Sequence, residues 1–542
     1  MKPMKYNKIF FMAGLLALAT TSCTDLDVDV HSQYTNYPSN DIAVEAKMSD
    51  LYYHMRGVLG RRYMEAQAIS SDEYTALSFS GAYTDEGTYA HQAFHDSKSV
   101  DASIGWYSDI AEGITKANKI IVDLGGNEAP AAASARTMRA LFHFYLMDNF
   151  GDVPILNYIP EDSAVVKRMP RKQVAEFIEK ELKEAIPDLT EEVSANTYGK
   201  PTKWMAEALL AKLYINWAVY TAESVDKYDA ATAQNPKLAD CISLCDDIIG
   251  SGKFNLGSMS YRKKFSYDNG PEVEDFIYAM PYDAITQTGM QYQRPRTYRN
   301  IKGMDPSYYG SKLTQSAGGN MALTPEFASL FSLEGDERNL CVLGGPVYIY
   351  DPTTLMPTST PFMYKGEQVV FTKDIKLVTD SITGQPDWLY VNAGATTEGS
   401  RQGYHSIKFF TRADDYNNGR NQSNDLPIFR YADILLMKAE AIVRGGGSGD
   451  AKGLFNQIRS YAHAPELGHT PSLQEIYDER GREFLDENWR RNDMIRFGHY
   501  EDEFFPHYKS NPYANFDKRH RIFPLPDNVR NLNPTWEQNP GY

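Results

Sequence analysis

Helical periodicity at both ends of the chain, and its absence between them, limits the fold more than any other feature. Apolar residues recur three and four apart through 42–60, 102–125, 129–149, 172–186, 202–220 and 238–249, and again through 431–443, 450–462 and 473–497. Met205, Leu209, Leu213 and Trp217 repeat every four residues and so share one helix face. Ser472, with Glu475 three residues on, has the form of a capping box starting the last helix. Residues 251–429 lack this period and are rich in Gly, Pro, Tyr, Asn and Thr, with short alternating runs at 369–372 and 376–378. The pattern predicts a mainly α fold. Degenerate tetratricopeptide-like helix pairs form a scaffold (42–250 and 430–498), and long irregular loops with short β-strands or hairpins are inserted in the middle. Loops of that length on a rigid frame are expected to carry recognition.

The N-terminus reads as an address. Lys2, Lys5 and Lys8 precede an apolar run from Ile9 to Thr20, and Thr21-Ser22-Cys23 follows. About twelve apolar residues are too few to cross a ~30 Å hydrocarbon layer as a helix, so residues 1–22 are expected to be a signal peptide. Small residues ending on a cysteine have the form of a lipoprotein signal, which makes Cys23 the lipidation site and 23–41 an acidic tether. Two or more acyl chains, at about 0.8 kcal/mol per buried CH₂, anchor a protein without a membrane span. The remaining Cys241, Cys245 and Cys341 are odd in number and suit buried thiols rather than a disulfide framework.

The balance of 55 Lys+Arg against 71 Asp+Glu leaves a formal charge of −16, which excludes a phosphate-binding footprint and hence nucleic acid as a partner. Thirty-seven tyrosines against 25 phenylalanines favour aromatic surface, since Tyr offers a flat ring and a hydroxyl together. Catalytic signatures are missing. Asp72-Glu73 and the alternating Asp25, Asp27 and Asp29 are expected among so many acids. His91 and His95 stand four apart in a loop-like stretch without the Glu of an HExxH motif. There is no GxSxG, and the Gly445–Asp450 run lacks the Lys-Ser/Thr ending of a phosphate loop. A non-enzymatic protein without metal or cofactor is the expectation.

Seven stretches, in order, carry a resemblance that spans nearly the whole chain. They are Trp106–Ile110 with Ala117-Asn118; Arg139–Tyr145 with Phe150-Gly-Asp-Val-Pro154; Met169-Pro170-Arg171; Lys200-Pro-Thr202 with Ala208–Tyr214; Asn424-Asp425 with Arg430–Glu440; Glu479–Phe484 with Trp489–Asp493 and Ile495-Arg496; and the terminal Gln538-Asn-Pro-Gly-Tyr542. Together they resemble the SusD/RagB family of outer-membrane nutrient-binding lipoproteins. The charged members read as scaffold: Arg430 with Asp433, and Glu479 with Arg482 and Glu483, have helical-neighbour spacings suited to pairing along or between helices. The terminal residues, closing a 499–542 tail, are expected to dock the C-terminus.

The resemblance implies a cell-surface, lipid-anchored protein. Such a protein captures oligo- or polysaccharide and delivers it to a SusC-like TonB-dependent transporter. It also implies ligand contacts from 71–101 and 282–320. The aromatic rings there, Tyr83, Tyr89, Tyr292, Tyr298 and Tyr308, are the expected stacking platform, with Asp72 and Arg294 as hydroxyl partners and Trp388 near Tyr390 as a second-rank candidate. A peptide- or protein-binding surface adaptor of RagB type is the alternative.

Overall fold

The computed structural model describes residues 41–80, 88–161, 165–257 and 259–542. The fold is mainly helical with small scattered sheets, as the periodicity predicts. A first helix, Asp41–Tyr52, ends earlier than the pattern suggests. A π-helical turn over Val58–Arg62 then leads into α1 (Tyr63–Ile69). The scaffold continues with α2 (Tyr107–Asp123), α3 (Ala133–Phe150), α4 (Arg171–Ala185), α5 (Lys203–Ile215) and α6 (Leu238–Gly250). After the insertion it resumes with α7 (Tyr431–Val443), α8 (Ala451–Tyr461), α9 (Leu473–Glu483) and α10 (Arg490–Phe497). Each helix from α2 to α7 packs on the next, α9 packs back on α7, and α6 packs on α7 although the whole insertion separates them in sequence. The insertion is therefore looped out of a continuous helical array.

Packing explains the helices better than propensity does. Almost every residue of α3 is buried, because neighbours cover all of its faces. Its charged side chains are consequently partnered. Arg139 donates to Glu181 Oε2 on α4 (2.9 Å) and to Asn118 Oδ1 on α2 (2.8 Å), tying three helices with one guanidinium. Gly113 on α2 permits the close approach to α3, since a Cβ there would lie 2.8 Å from the Phe142 ring. Thr202 Oγ1 caps α5 by accepting from Met205 N–H (3.2 Å). The capping box forms: Ser472 Oγ accepts from Glu475 N–H and Glu475 Oε2 accepts from Ser472 N–H.

The single helix expected over 473–497 is two. It breaks after Glu483, and Asp486 and Asn488 take left-handed backbone (φ +66° each) before α10 begins. Asp486 draws the chain aside. Its N–H donates to Glu73 Oε1 (2.8 Å), and its carboxylate accepts from Tyr74 Oη, Arg296 Nε (2.8 Å each) and Ser406 Oγ (2.5 Å). The 202–220 run likewise divides at Asn216 into α5 and a short Trp217–Thr221 helix.

Two small antiparallel sheets fasten the insertion. β2 (Phe276–Met280) pairs with β4 (Leu426–Arg430), Arg430 opposite Phe276, so the two ends of the insertion meet. β1 (Tyr74–Ala76) pairs with β3 (Met321–Leu323), Tyr74 opposite Leu323, joining the early loop to the insertion. Beyond these the insertion has its own aromatic core, including Tyr298, Tyr308, Tyr309, Tyr350, Phe362, Phe371 and Phe410. The C-terminus docks. Asn539 Nδ2 donates to Phe150 O and Phe523 O, Tyr542 Oη donates to Ile522 O, and the Tyr542 ring lies 4.2 Å from His520.

Charged side chains hold insertion and scaffold together. Arg430 binds Asp275 (2.5 Å), Glu483 (2.8 Å) and Glu487 (2.7 Å), all buried. Lys264 adds to Asp275, Lys408 to Glu487, and Arg338 to Glu479 and Glu483. The pairing read from spacing is corrected for Arg430 and Asp433. They do not meet, because Arg430 still belongs to extended β4 and lies outside the α7 register. Asp433 instead binds Lys212 and Arg480. Glu479 and Arg482 do pair along α9 (3.0 Å). Burial would raise the carboxyl of Asp275, yet Lys264 and Arg430 outweigh it and hold it below its ordinary value.

Removing one member of such a network leaves the others buried and uncompensated, at about 3–5 kcal/mol. Arg430→Met is therefore expected to lower unfolding stability by about that amount, read as a lower urea midpoint at unchanged slope. An unaltered midpoint would exclude this role for Arg430.

Candidate functional site

The structure moves most of the expected stacking rings into the core. Tyr292 is fully buried, edge-on to Phe409 at 5.3 Å, with Arg296 4.9 Å above its ring and its hydroxyl accepting from Asn488 Nδ2 (2.8 Å). Tyr298 is enclosed by Phe362, Tyr364 and Phe371. Tyr308 packs on Tyr309 and Phe362, and its hydroxyl accepts from Tyr298 N–H (3.1 Å). Tyr89 is 3% exposed and donates to Glu65 Oε2 (2.8 Å). None of these four offers a free ring face. The reason is physical: a segment without amphipathic helices must still bury apolar area, and its many tyrosine rings join Phe362, Phe371 and Phe410 in doing so.

Asp72 is also committed. Its two carboxylate oxygens accept from Arg490 Nε and Nη2 (2.7 Å each), and Arg490 stacks 3.6 Å from the Tyr477 ring centre. This clamp joins the early loop to α9 and α10 rather than presenting an acceptor to a sugar. Tyr83 and Cys23 lie outside the described residues.

Arg294 does reach solvent. With Arg299, Asn300, Ser316, Gly318 and Arg420 it lines an open cleft of about 440 Å³ on the insertion. Arg294 Nη1 donates to Gln291 Oε1 (3.3 Å), and its carbonyl accepts from Gly318 N–H (2.8 Å), which closes the cleft floor. Arg420 Nε and Nη2 donate to Ser316 O and Oγ (2.7 Å each) from a left-handed backbone (φ +63°). Asn300 Nδ2 donates to Ser400 Oγ (3.0 Å). Arg299 lies 4.9 Å over the Phe79 ring.

The segment 77–80 runs beside this cleft and ties it to a second feature. On one side Leu77 N–H donates to Asn320 O. On the other, Ser78 N–H donates to Val391 O, and Ala393 N–H donates to Ser78 O. The neighbouring turn exposes Leu389 (40%) and Tyr390 (44%). Trp388 is half-buried against Phe505 (6.1 Å) and Tyr508 (6.3 Å), which hold the ring at the surface. Val391 is buried and has φ +47°, a conformation that a β-branched residue adopts only under constraint, at about 1–3 kcal/mol. Its carbonyl bond to Ser78 and the Asp387–Asn392 side-chain bond (2.9 Å) impose that turn, which projects Leu389 and Tyr390 outward.

The two regions expected to supply contacts are thus brought together through β1–β3 and the 77–80 segment, but by other side chains than the tyrosines. Arg299, Asn300 and Arg420 were not singled out in the sequence. The Asn417-Asn418-Gly419 turn before Arg420 marks a loop, whereas nothing local shows that these arginines lack acidic partners. His91 and His95 do not converge: His91 Nδ1 faces Asp101 (3.1 Å), while His95 stacks on Tyr500 at 4.0 Å.

Beneath this face Glu73 is buried beside Asp486. Burial first, and the Asp486 charge second, push its carboxyl up to about 8 against the pull of Arg296 and Arg490.

Comparisons with known proteins agree with this architecture. Residues 274–542 match the model of the SusD family, and residues 26–215 match one described as starch-binding, associating with the outer membrane. The starch-binding protein SusD of Bacteroides thetaiotaomicron is 25% identical over 596 aligned positions covering 99% of each chain. Among solved structures, a SusD homologue of the same organism superposes with a TM-score of 0.69 at 17% identity, over 94% of this chain and 98% of its own. Surface glycan-binding protein A of B. thetaiotaomicron, solved with laminarihexaose, superposes at 0.64 with 18% identity, over 92% and 99%. These likenesses establish a shared fold.

Two outcomes follow from the burial pattern. Tyr298→Ala removes a core ring and is expected to cost about 3–5 kcal/mol of stability, measured by chemical unfolding. A loss under about 1 kcal/mol would mean that the ring is not packed as described. For Glu73 the folded value lies above the ordinary 4.5, so its stabilising contribution is complete below 4.5 and is lost as pH rises through about 8. Melting temperatures from about pH 5 to about pH 8.5 are expected to decline more steeply for the wild type than for Glu73→Gln. Parallel declines would show that Glu73 does not titrate there.

Proposed function

The chain belongs to the SusD/RagB family, and from that premise we propose that it is a non-catalytic, cell-surface glycan-binding protein. In this reading Cys23 carries the lipid that holds it at the outer membrane, and captured oligo- or polysaccharide passes to a SusC-like TonB-dependent transporter. Its relative SusD is named for binding starch, and one of the matching family models is described as associating with the outer membrane.

The observation that carries the proposal is the exposed Trp388–Tyr390 turn standing across the 77–80 segment from a polar cleft. A pyranose ring has an apolar C–H face and a rim of hydroxyls. The turn supplies flat rings for the face, and the guanidinium, amide and hydroxyl groups of Arg294, Asn300 and Ser316 supply partners for the rim. Tyr and Trp bring that area with few rotatable bonds, so little side-chain entropy is lost on binding. A single shallow site of this kind reaches about −4 kcal/mol, or roughly millimolar affinity. Repeating polymers and a surface array raise the effective concentration enough for capture.

Native gels cast with soluble polysaccharides, amylopectin among them, test this. At least one polysaccharide is expected to retard the protein. Trp388→Ala and Tyr390→Ala should each weaken that retardation about tenfold, the worth of ~1.4 kcal/mol, and the exposed Tyr390→Ala should do so without lowering the melting temperature. Indifference to every sugar together with binding of peptide mixtures would sink the glycan reading and favour an adaptor.

A further inference from the structure

The cleft contains Arg294, Arg299 and Arg420, and among the described residues none of the three has a carboxylate within ion-pair distance. Its described lining holds no acid at all. Buried guanidiniums elsewhere are answered within the fold, Arg296, Arg430, Arg480 and Arg496 by carboxylates and Arg171, Arg262 and Arg491 by backbone carbonyls. The cleft differs in gathering three carboxylate-free guanidiniums at one place open to solvent. Arg420 spends Nε and Nη2 on Ser316, Arg294 spends one bond on Gln291, and Arg299 rests on Phe79. Donors therefore remain on all three. Like charges gathered around one cleft repel one another, weakly where solvent screens them, and an anion shared between them relieves that repulsion.

Resting on the glycan reading, we infer that the ligand of this cleft is an acidic saccharide, whose carboxylate or sulfate is gripped by Arg294, Arg299 and Arg420. Planar guanidinium forks match the paired oxygens of either group, and the bonds are charge-assisted. Asn300 and Ser316 then serve neighbouring hydroxyls. A neutral glucan uses the exposed rings equally well but leaves the three charges unanswered. The acidic body repels polyanions elsewhere on its surface, so polyanion binding by this protein reports on a local basic site rather than on general attraction.

Matched pairs of polymers separate charge from sugar: polygalacturonate against its methyl ester, and dextran sulfate against dextran, with amylopectin as a further neutral glucan. In affinity electrophoresis of the mature chain, a charged member is expected to bind at least about tenfold tighter than its neutral counterpart. Raising salt from about 0.05 to about 0.5 M should weaken that binding. Combined Arg299→Gln and Arg420→Gln should abolish the preference at unchanged melting temperature, while the double Lys variant, which keeps the charge, retains part of it. Whichever pair responds identifies carboxylate or sulfate as the group. Neutral polymers binding as tightly as charged ones, with no effect of the glutamine changes, would overturn the acidic class and leave glycan binding standing. Retardation by none of the five polymers would overturn the acidic class, and indifference to every other polysaccharide as well would overturn glycan binding with it.

Discussion

Arg430 is the residue on which the relation between scaffold and insertion turns. It ends β4, where the insertion returns, and it binds Asp275, just before β2, where the paired part of the insertion begins. The same guanidinium reaches Glu483 at the end of α9 and Glu487 in the turn beyond it. One buried cation thus fixes both ends of an irregular excursion to one scaffold helix. Charges of this kind add little net stability over a well-packed apolar cluster, but an unmatched one is severely penalised. Such a network consequently discriminates strongly against misplaced chain, which an insertion without helical period needs more than a helix does.

How far the sequence reveals such a molecule depends on whether the determining interaction is local. Helix period is local, so α2 to α9 are legible from residues such as Met205, Leu209 and Leu213, and so is the Ser472 cap. The break after Glu483 is not, because its cause is Asp486 bonding to Glu73, Tyr74 and Arg296 from distant parts of the chain. Arg430 and Asp433 mislead for the same reason. Their spacing of three suggests a helical pair, yet β4 ends between them and each finds partners far away in sequence.

The site follows the same division. Composition shows that the insertion is rich in tyrosine, but composition does not say which rings face inward. Tyr298 and Tyr308 joined Phe362, Phe371 and Phe410 in the core of the insertion, while Phe505 and Tyr508 hold Trp388 at the surface and a strained Val391 turn projects Tyr390 there. Strain of that kind is a property of three-dimensional closure, here the Ser78–Val391 bond, and leaves no mark on the local sequence. Arg299 and Arg420 are equally silent, since an arginine's meaning depends on whether a carboxylate stands beside it.

Two of the ways in which this protein uses arginine make that last point general. Where a guanidinium is buried and matched, as at Arg430, Arg480 and Arg496, the favourable field is spent internally and the group is structural. Where several are half-exposed and unmatched around one cleft, the field projects outward and the cost of assembling them is met only when something anionic arrives. The acidic remainder of the surface sharpens the contrast, because it leaves the cleft as a local positive focus in an otherwise negative potential. A scaffold held largely by internal ion pairs, with three half-exposed and carboxylate-free arginines gathered at one cleft of the insertion, thereby keeps the same chemistry for rigidity in one place and for recognition in another.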